Sequence, residues 1–156
     1  LKLLLDTTYL LPSVSIAIKE VSKDAIIKLN TKGYNIVVSR ISIFELLAKS
    51  SKFVVKNELS PERAALGIRA ILYDDIIEKI STDSSKVMLT AFKLRSLMND
   101  FIDCLIISTA LNNCDALITE NQDIHNLKKN KKYLELVASI NPNFKIQTLA
   151  QICSQQ

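Results

Sequence analysis

Apolar residues run almost without interruption over 1–5 and 116–118, a pattern that predicts strands of a parallel sheet covered on both faces. Ile36, Val37 and Val38 make a third such run within 35–39, and 76–80 and 144–147 predict two more short strands. Between the strands the pattern turns helical. Thr7 or Thr8 opens a short helix through about 18, with Pro12 disturbing its course. A helix over 24–32 starts at Asp24 and stops at Gly33. Another covers 42–58, and Ser60-Pro61-Glu62, an N-cap with proline at the first helical position, opens one that runs to about 73. These two form a hairpin with a very short connection, expected to protrude from the sheet. Thr82 or Asp83 caps a helix through 97, and 103–113 is helical in turn. Asn121 or Asp123 caps a helix through 128, the next covers 132–140 before Pro142, and Thr148 caps the last. Strands alternating with helices predict a three-layer α/β/α sandwich around a mainly parallel central sheet.

In such sheets ligands sit beyond the carboxyl ends of the strands. Asp6 falls there, after the first strand, and so does the polar stretch Glu120, Asn121, Asp123 after the strand that ends at Thr119. Asp103 carries the sharper signal. On a helix, Ile106 and Ile107 lie on the same face, so a carboxylate is set among residues that pack inward. Several acids converging on one edge repel one another unless a cation stands between them, and a hard divalent ion is the simplest candidate.

Each acid also has an ordinary explanation. Asp6 suits a helix cap. Ser42-Ile43-Phe44-Glu45 has the form of a capping box, and Glu45 is placed for an i,i+4 pair with Lys49. Asp100 shares a face with Asp103, and one of the two serves the positive end of the helix dipole if the helix starts near Asp100.

Composition narrows the chemistry. With 156 residues and 48% hydrophobic content the expectation is one domain over 1–156. No apolar run approaches the ~20 residues of a membrane helix and no basic leader with a cleavage site is seen, so a soluble cytoplasmic protein without membrane attachment is expected. Two glycines exclude the phosphate-loop and dinucleotide fingerprints. One histidine, His125, read as a surface helix residue, and dispersed Cys104, Cys114 and Cys153, read as buried reduced thiols, argue against a His/Cys zinc site. The net charge of +4 is a mild bias toward polyanions. Lys128, Lys129, Lys131 and Lys132 form an exposed basic run, while Lys49, Lys52 and Lys56 follow Glu45 along one helical stripe, either as a solvated face or as a path for phosphates.

The order LLLDTTYLL, SIFELL, DCLIISTALNNCDALIT and ENQD resembles the PIN-domain nucleases, including the VapC toxins of toxin–antitoxin pairs. Residue by residue, the resemblance implies Asp6, Glu45, Asp103 and Asp123 as catalytic and metal-binding acids, with Thr7 and Thr119 as supporting hydroxyls. Asn121 stands where many members have Asp. It offers an oxygen without the charge that would help to hold a second metal. The resemblance further implies a PIN-like fold, RNA as substrate, and products ending in 5′-phosphate and 3′-hydroxyl. An antitoxin partner and a homodimer follow from the same likeness, the latter also from apolar Phe44, Leu47, Val54 and Leu66 on the helical hairpin. Oxygen ligands select Mg²⁺ or Mn²⁺. The expected function is therefore metal-dependent hydrolysis of RNA, with a housekeeping RNA-processing nuclease or a catalytically silent RNA-binding or assembly module as alternatives. A phosphoacceptor role for Asp6 fails at Thr8, where the haloacid-dehalogenase DxD pattern needs a second Asp.

Overall fold

The computed structural model describes residues 1–154. Its sheet has five strands, β1 (Lys2–Leu5), β2 (Asn35–Ser39), β3 (Ile77–Ile80), β4 (Ala116–Ile118) and β5 (Lys145–Gln147), in the order β3-β2-β1-β4-β5. Every pairing is parallel. The chain builds outward from β1 through β2 to β3, then returns to lay β4 against the other side of β1, so the order reverses between β1 and β4. That switch point is where parallel sheets open a crevice at their carboxyl ends.

Strand alternation sends Leu3 and Leu5 to one face and Leu4 to the other, and all three are fully buried. Burial of each contributes roughly 1.5–3 kcal/mol, and this explains the uninterrupted apolar run. Leu3 and Leu5 join a core with Tyr9, Leu10, Leu29, Leu46 and Ile68. Leu4 joins the second core, with Leu94, Ile107, Leu117 and Val137. The helices are α1 (Ala25–Thr31), α2 (Arg40–Val55), α3 (Pro61–Tyr73), α4 (Ser85–Arg95), α5 (Phe101–Asn113), α6 (Gln122–Asn126), α7 (Lys131–Ile140) and α8 (Leu149–Cys153). Distributed over both faces, they complete the three-layer sandwich. No helix among the described residues is long and apolar enough to cross a membrane.

Several expected boundaries move for identifiable reasons. The segment after Asp6 is a 3₁₀ helix, Thr7–Val14, containing Pro12 and closed by Ser15 in the left-handed conformation at φ 65°. It therefore ends before 18. α2 begins at Arg40, so Ser42 lies inside the helix, buried, and its hydroxyl has no hydrogen-bond partner. The Ser42–Glu45 capping box does not form. Ser84, not Thr82 or Asp83, caps α4 by accepting from the Val87 N–H at 3.3 Å. Ser60 does cap α3, accepting from the Arg63 N–H, and Gly33 follows α1 at φ 85°. The hairpin of α2 and α3 lies against the 3₁₀ segment, where Gly67 passes close to Ser13, and Val54 packs on the core instead of joining an exposed patch. Cys104 and Cys114 are buried free thiols, but Cys153 is exposed.

Candidate active site

The switch point gathers carboxylates from three elements. Asp6, 5% exposed, leaves β1 and is held from two sides. Its Oδ1 accepts from the Thr7 N–H at 2.7 Å, and its Oδ2 accepts from the Thr119 hydroxyl at 2.6 Å. Capping of the 3₁₀ segment is thus real for Asp6, yet it uses only one of the two oxygens. Burial raises the Asp6 pKa above the ordinary carboxylate value, opposed by the Thr119 and Thr7 hydrogen bonds and reinforced by the Glu45 charge.

Glu45 reaches the same place from α2. One oxygen accepts from the Thr7 hydroxyl, and the other stands 3.0 Å from the Lys49 ammonium. The i,i+4 pair is therefore formed, alongside a contact to the Asp6 loop that local spacing does not reveal.

Asp103 comes from the first turn of α5. The helix starts at Phe101, with Asp100 as its N-cap accepting from the Ile102 and Asp103 N–H groups at 2.8 and 3.3 Å. Asp100 thus takes the capping role and leaves the Asp103 side chain free for the cleft. Burial pushes the Asp103 pKa up to about 7, helped by the charges of Asp6, Asp100 and Glu45 and opposed by Lys49.

Asn121 is committed in both directions. As the N-cap of α6, its amide oxygen accepts from the Asp123 N–H at 2.9 Å, while its NH₂ donates to Asp103 Oδ2 at 3.1 Å. The two partners agree on which end is oxygen. In this arrangement it presents its donor to the acids and its oxygen to the start of α6. Asp123 stands exposed at the rim, sharing with Asp103, Asp100 and Asn126 the lining of a cavity of about 450 Å³. Three acids converge, and the fourth borders them.

The loop carrying Thr119 and Asn121 is anchored by residues that sequence reasoning passed over. The Tyr9 hydroxyl donates to Glu120 Oε1 at 2.6 Å, and the Leu149 N–H donates to the same oxygen at 3.2 Å. His125 Nε2 lies 2.8 Å from the Thr119 carbonyl oxygen, so the ring is tied to the site loop and is not a free surface group. Tyr9 gave one hint: it is the lone aromatic in LLLDTTYLL. Lys52 on α2 and Lys56, its C-cap, are exposed beyond the paired Lys49.

Among the described residues no group of three or more His, Cys, Asp or Glu side chains is arranged to hold a metal ion. In kind, however, the donors fit one. They are oxygens throughout, as hard divalent cations require, and their mutual repulsion is of the sort a cation relieves.

A parallel α/β sandwich with acids gathered at its switch point is a crevice-type α/β protein, with its candidate site beyond the carboxyl ends of the strands. The family model described as PIN domain matches residues 3–130, and the chain belongs to this family of nucleases. In fold it is similar to VapBC2 from Rickettsia felis bound to a DNA fragment from their promoter, with a TM-score of 0.61 and 21% identity over 95% of this chain and 98% of that one. It is likewise similar to DNA-bound VapBC from Salmonella typhimurium, with a TM-score of 0.58 and 16% identity over 96% of this chain and 98% of that one. No curated protein matches the chain in sequence.

Proposed function

We propose that this chain is a metal-dependent ribonuclease that hydrolyses RNA phosphodiester bonds and works as the toxin of a toxin–antitoxin pair. The observation that carries the reading is the meeting of Asp6, Glu45 and Asp103 from three separate elements, Asp6 and Glu45 joined through Thr7, and Asp6 and Asp103 through the loop of Thr119 and Asn121, where their charges repel one another. A structural role does not call for such mutual repulsion. Asp6, Glu45 and Asp103, with Asp123 from the rim, are the residues that would hold Mg²⁺ or Mn²⁺. A divalent ion bound there lowers the pKa of a water and offsets charge on the leaving oxygen. The Thr7 and Thr119 hydroxyls orient Glu45 and Asp6 by donating to one oxygen of each. Asn121 orients Asp103 in the same way. In the reaction a water oxygen bonds to phosphorus, the bond from phosphorus to O3′ breaks, and O3′ takes up a proton, leaving 5′-phosphate and 3′-hydroxyl ends. Lys52 on α2 and Lys56 at its C-cap offer exposed charge toward which the RNA backbone is drawn.

The toxin reading draws support from the VapBC complexes that share the fold, whose antitoxin component is the kind of partner expected here. Homodimerisation, also proposed, draws support from Phe44, Leu47, Leu66 and Tyr73, which are exposed on α2 and α3. Incubation of the purified chain with labelled RNA and Mg²⁺ or Mn²⁺ tests the central claim. Cleavage yielding 5′-phosphate ends and lost in Asp103→Asn or under excess chelator is expected. RNA bound but never cut under any metal would overturn it in favour of a silent module.

A further inference from the structure

The Lys49 ammonium serves more than its immediate partner. It stands 3.0 Å from Glu45 on α2, and it is also the positive charge that favours the ionised forms of Asp6, at the end of β1, and Asp103, on α5. Glu45 pairs with it directly, while Asp6 and Asp103 feel its charge without a contact at salt-bridge distance. An ordinary surface pair looks different: Lys131 and Glu135 are 3.9 Å apart with both side chains largely in solvent. Lys49 and Glu45 are drawn inward, at 37% and 20% side-chain exposure, and the second Glu45 oxygen is held by Thr7. Both Glu45 oxygens are thus engaged, one by a hydroxyl and one by the ammonium.

We propose that Lys49 is a resident counter-ion of the acidic cleft, which a divalent cation displaces from Glu45 and whose freed ammonium then takes a substrate phosphate. This rests on the metal-dependent reading above. An ammonium at this position opposes the incoming ion twice, by repelling it and by occupying a ligand. With a cation balancing the acids, the same charge would be left at the cleft for a substrate phosphate, which an ammonium binds as a point charge. The exchange couples metal binding to substrate binding through one side chain. Lys49 thus sets the metal affinity of the cleft and contributes directly to substrate binding.

The test is Mn²⁺ binding, followed by electron paramagnetic resonance on the full chain, together with steady-state cleavage of a labelled RNA. Lys49→Met removes the charge and keeps the aliphatic stem. It should bind Mn²⁺ about tenfold more tightly, the effect of removing one nearby unit charge in a partly solvated site, while its KM for RNA rises several-fold. Lys49→Gln should move both quantities in the same directions, and Lys49→Arg should restore both. Lys52→Met, on the same helix without an acid partner, should leave Mn²⁺ affinity within about twofold, because its charge is solvated and screened. Mn²⁺ affinity unchanged in both neutral variants, or an unchanged KM, overturns the proposal. Failure of the underlying reading looks different: wild type then binds no Mn²⁺, or Asp103→Asn binds it equally well.

Discussion

The Thr119 hydroxyl donates to Asp6 Oδ2 at 2.6 Å, and this bond bridges β1 and β4 where the strand order reverses. Both residues are buried, so neither can exchange the partner for water without cost. Thr119→Val keeps the shape and removes the donor. The loss of a hydrogen bond to a charged group is expected to cost about 1.5–3 kcal/mol, read as a lower melting temperature. RNA cleavage should fall as well, because Asp6 loses the donor that fixes the orientation of its carboxylate. Thr119→Ser, which retains the hydroxyl, should recover most of both. Equal stability of the Val variant and wild type would mean that Asp6 has no need of this donor.

Asp103 makes stability fall as pH rises. Its folded pKa, about 7, lies above the unfolded value of 3.8, so between these pH values the folded state binds more protons than the unfolded chain. The slope of unfolding free energy with pH is therefore negative across that window, and the full penalty is reached above pH 7. With partial exposure discounted, the expected cost is about 1–2 kcal/mol. Asp103→Asn should melt higher than wild type at pH 8 and nearly the same at pH 4, when both are measured in chelator. A wild type that is equally stable at pH 5 and pH 8, with a variant that follows it, would refute the assignment.

Asn121→Asp puts the donor to Asp103 to a direct test. Aspartate caps helices as well as asparagine does, so the bond from the Asp123 N–H survives. What changes is the group 3.1 Å from Asp103 Oδ2, from a donating NH₂ to a second carboxylate. In chelator at pH 8 the variant should lose about 1–3 kcal/mol through like-charge repulsion and the missing donor. Mn²⁺ should raise its melting temperature by more than it raises that of wild type, because the variant gains a carboxylate oxygen for the ion. Identical melting in chelator would show that the Asn121 amide makes no such bond.

The sheet was readable because parallel strands buried on both faces leave unbroken apolar runs, and β2 matches its expected span of 35–39 residue for residue. Asp103 stood out because a carboxylate on a packed helical face needs a reason. Less legible were features set by distant partners. Nothing near Glu45 in the sequence announces the Thr7 hydroxyl, 38 residues away, and the S-x-x-E spacing instead suggested a cap that the earlier start of α2 removes. The amide of Asn121 offers an oxygen and a donor alike. Only the placement of Asp103 and the Asp123 N–H decides which end faces the acids. The 3₁₀ geometry after Asp6 was hidden for a related reason, since apolar spacing alone does not separate a tight turn from an ordinary helix around Pro12.

Gly67 connects remote packing to the site. It lies on α3 where that helix crosses the 3₁₀ segment, and a Cβ added there would stand 2.2 Å from the Ser13 carbonyl oxygen and 2.9 Å from Val14 Cγ1. The first of these is backbone, which cannot turn aside as a side-chain tip can. Gly67→Ala must therefore push α3 and the 3₁₀ segment apart. The helix-propensity gain of alanine, up to about 1 kcal/mol, is outweighed by overpacking of about 1–3 kcal/mol or more. Because the same segment begins at Thr7, whose hydroxyl holds Glu45, the displacement should reach the acids. The variant is expected to melt several degrees lower and to cleave RNA more slowly at saturating substrate, with Thr7→Val reproducing the activity loss but only part of the destabilisation. An Ala variant more stable than wild type would mean that propensity decides at this crossing and that α3 stands farther from Ser13 than the contact implies.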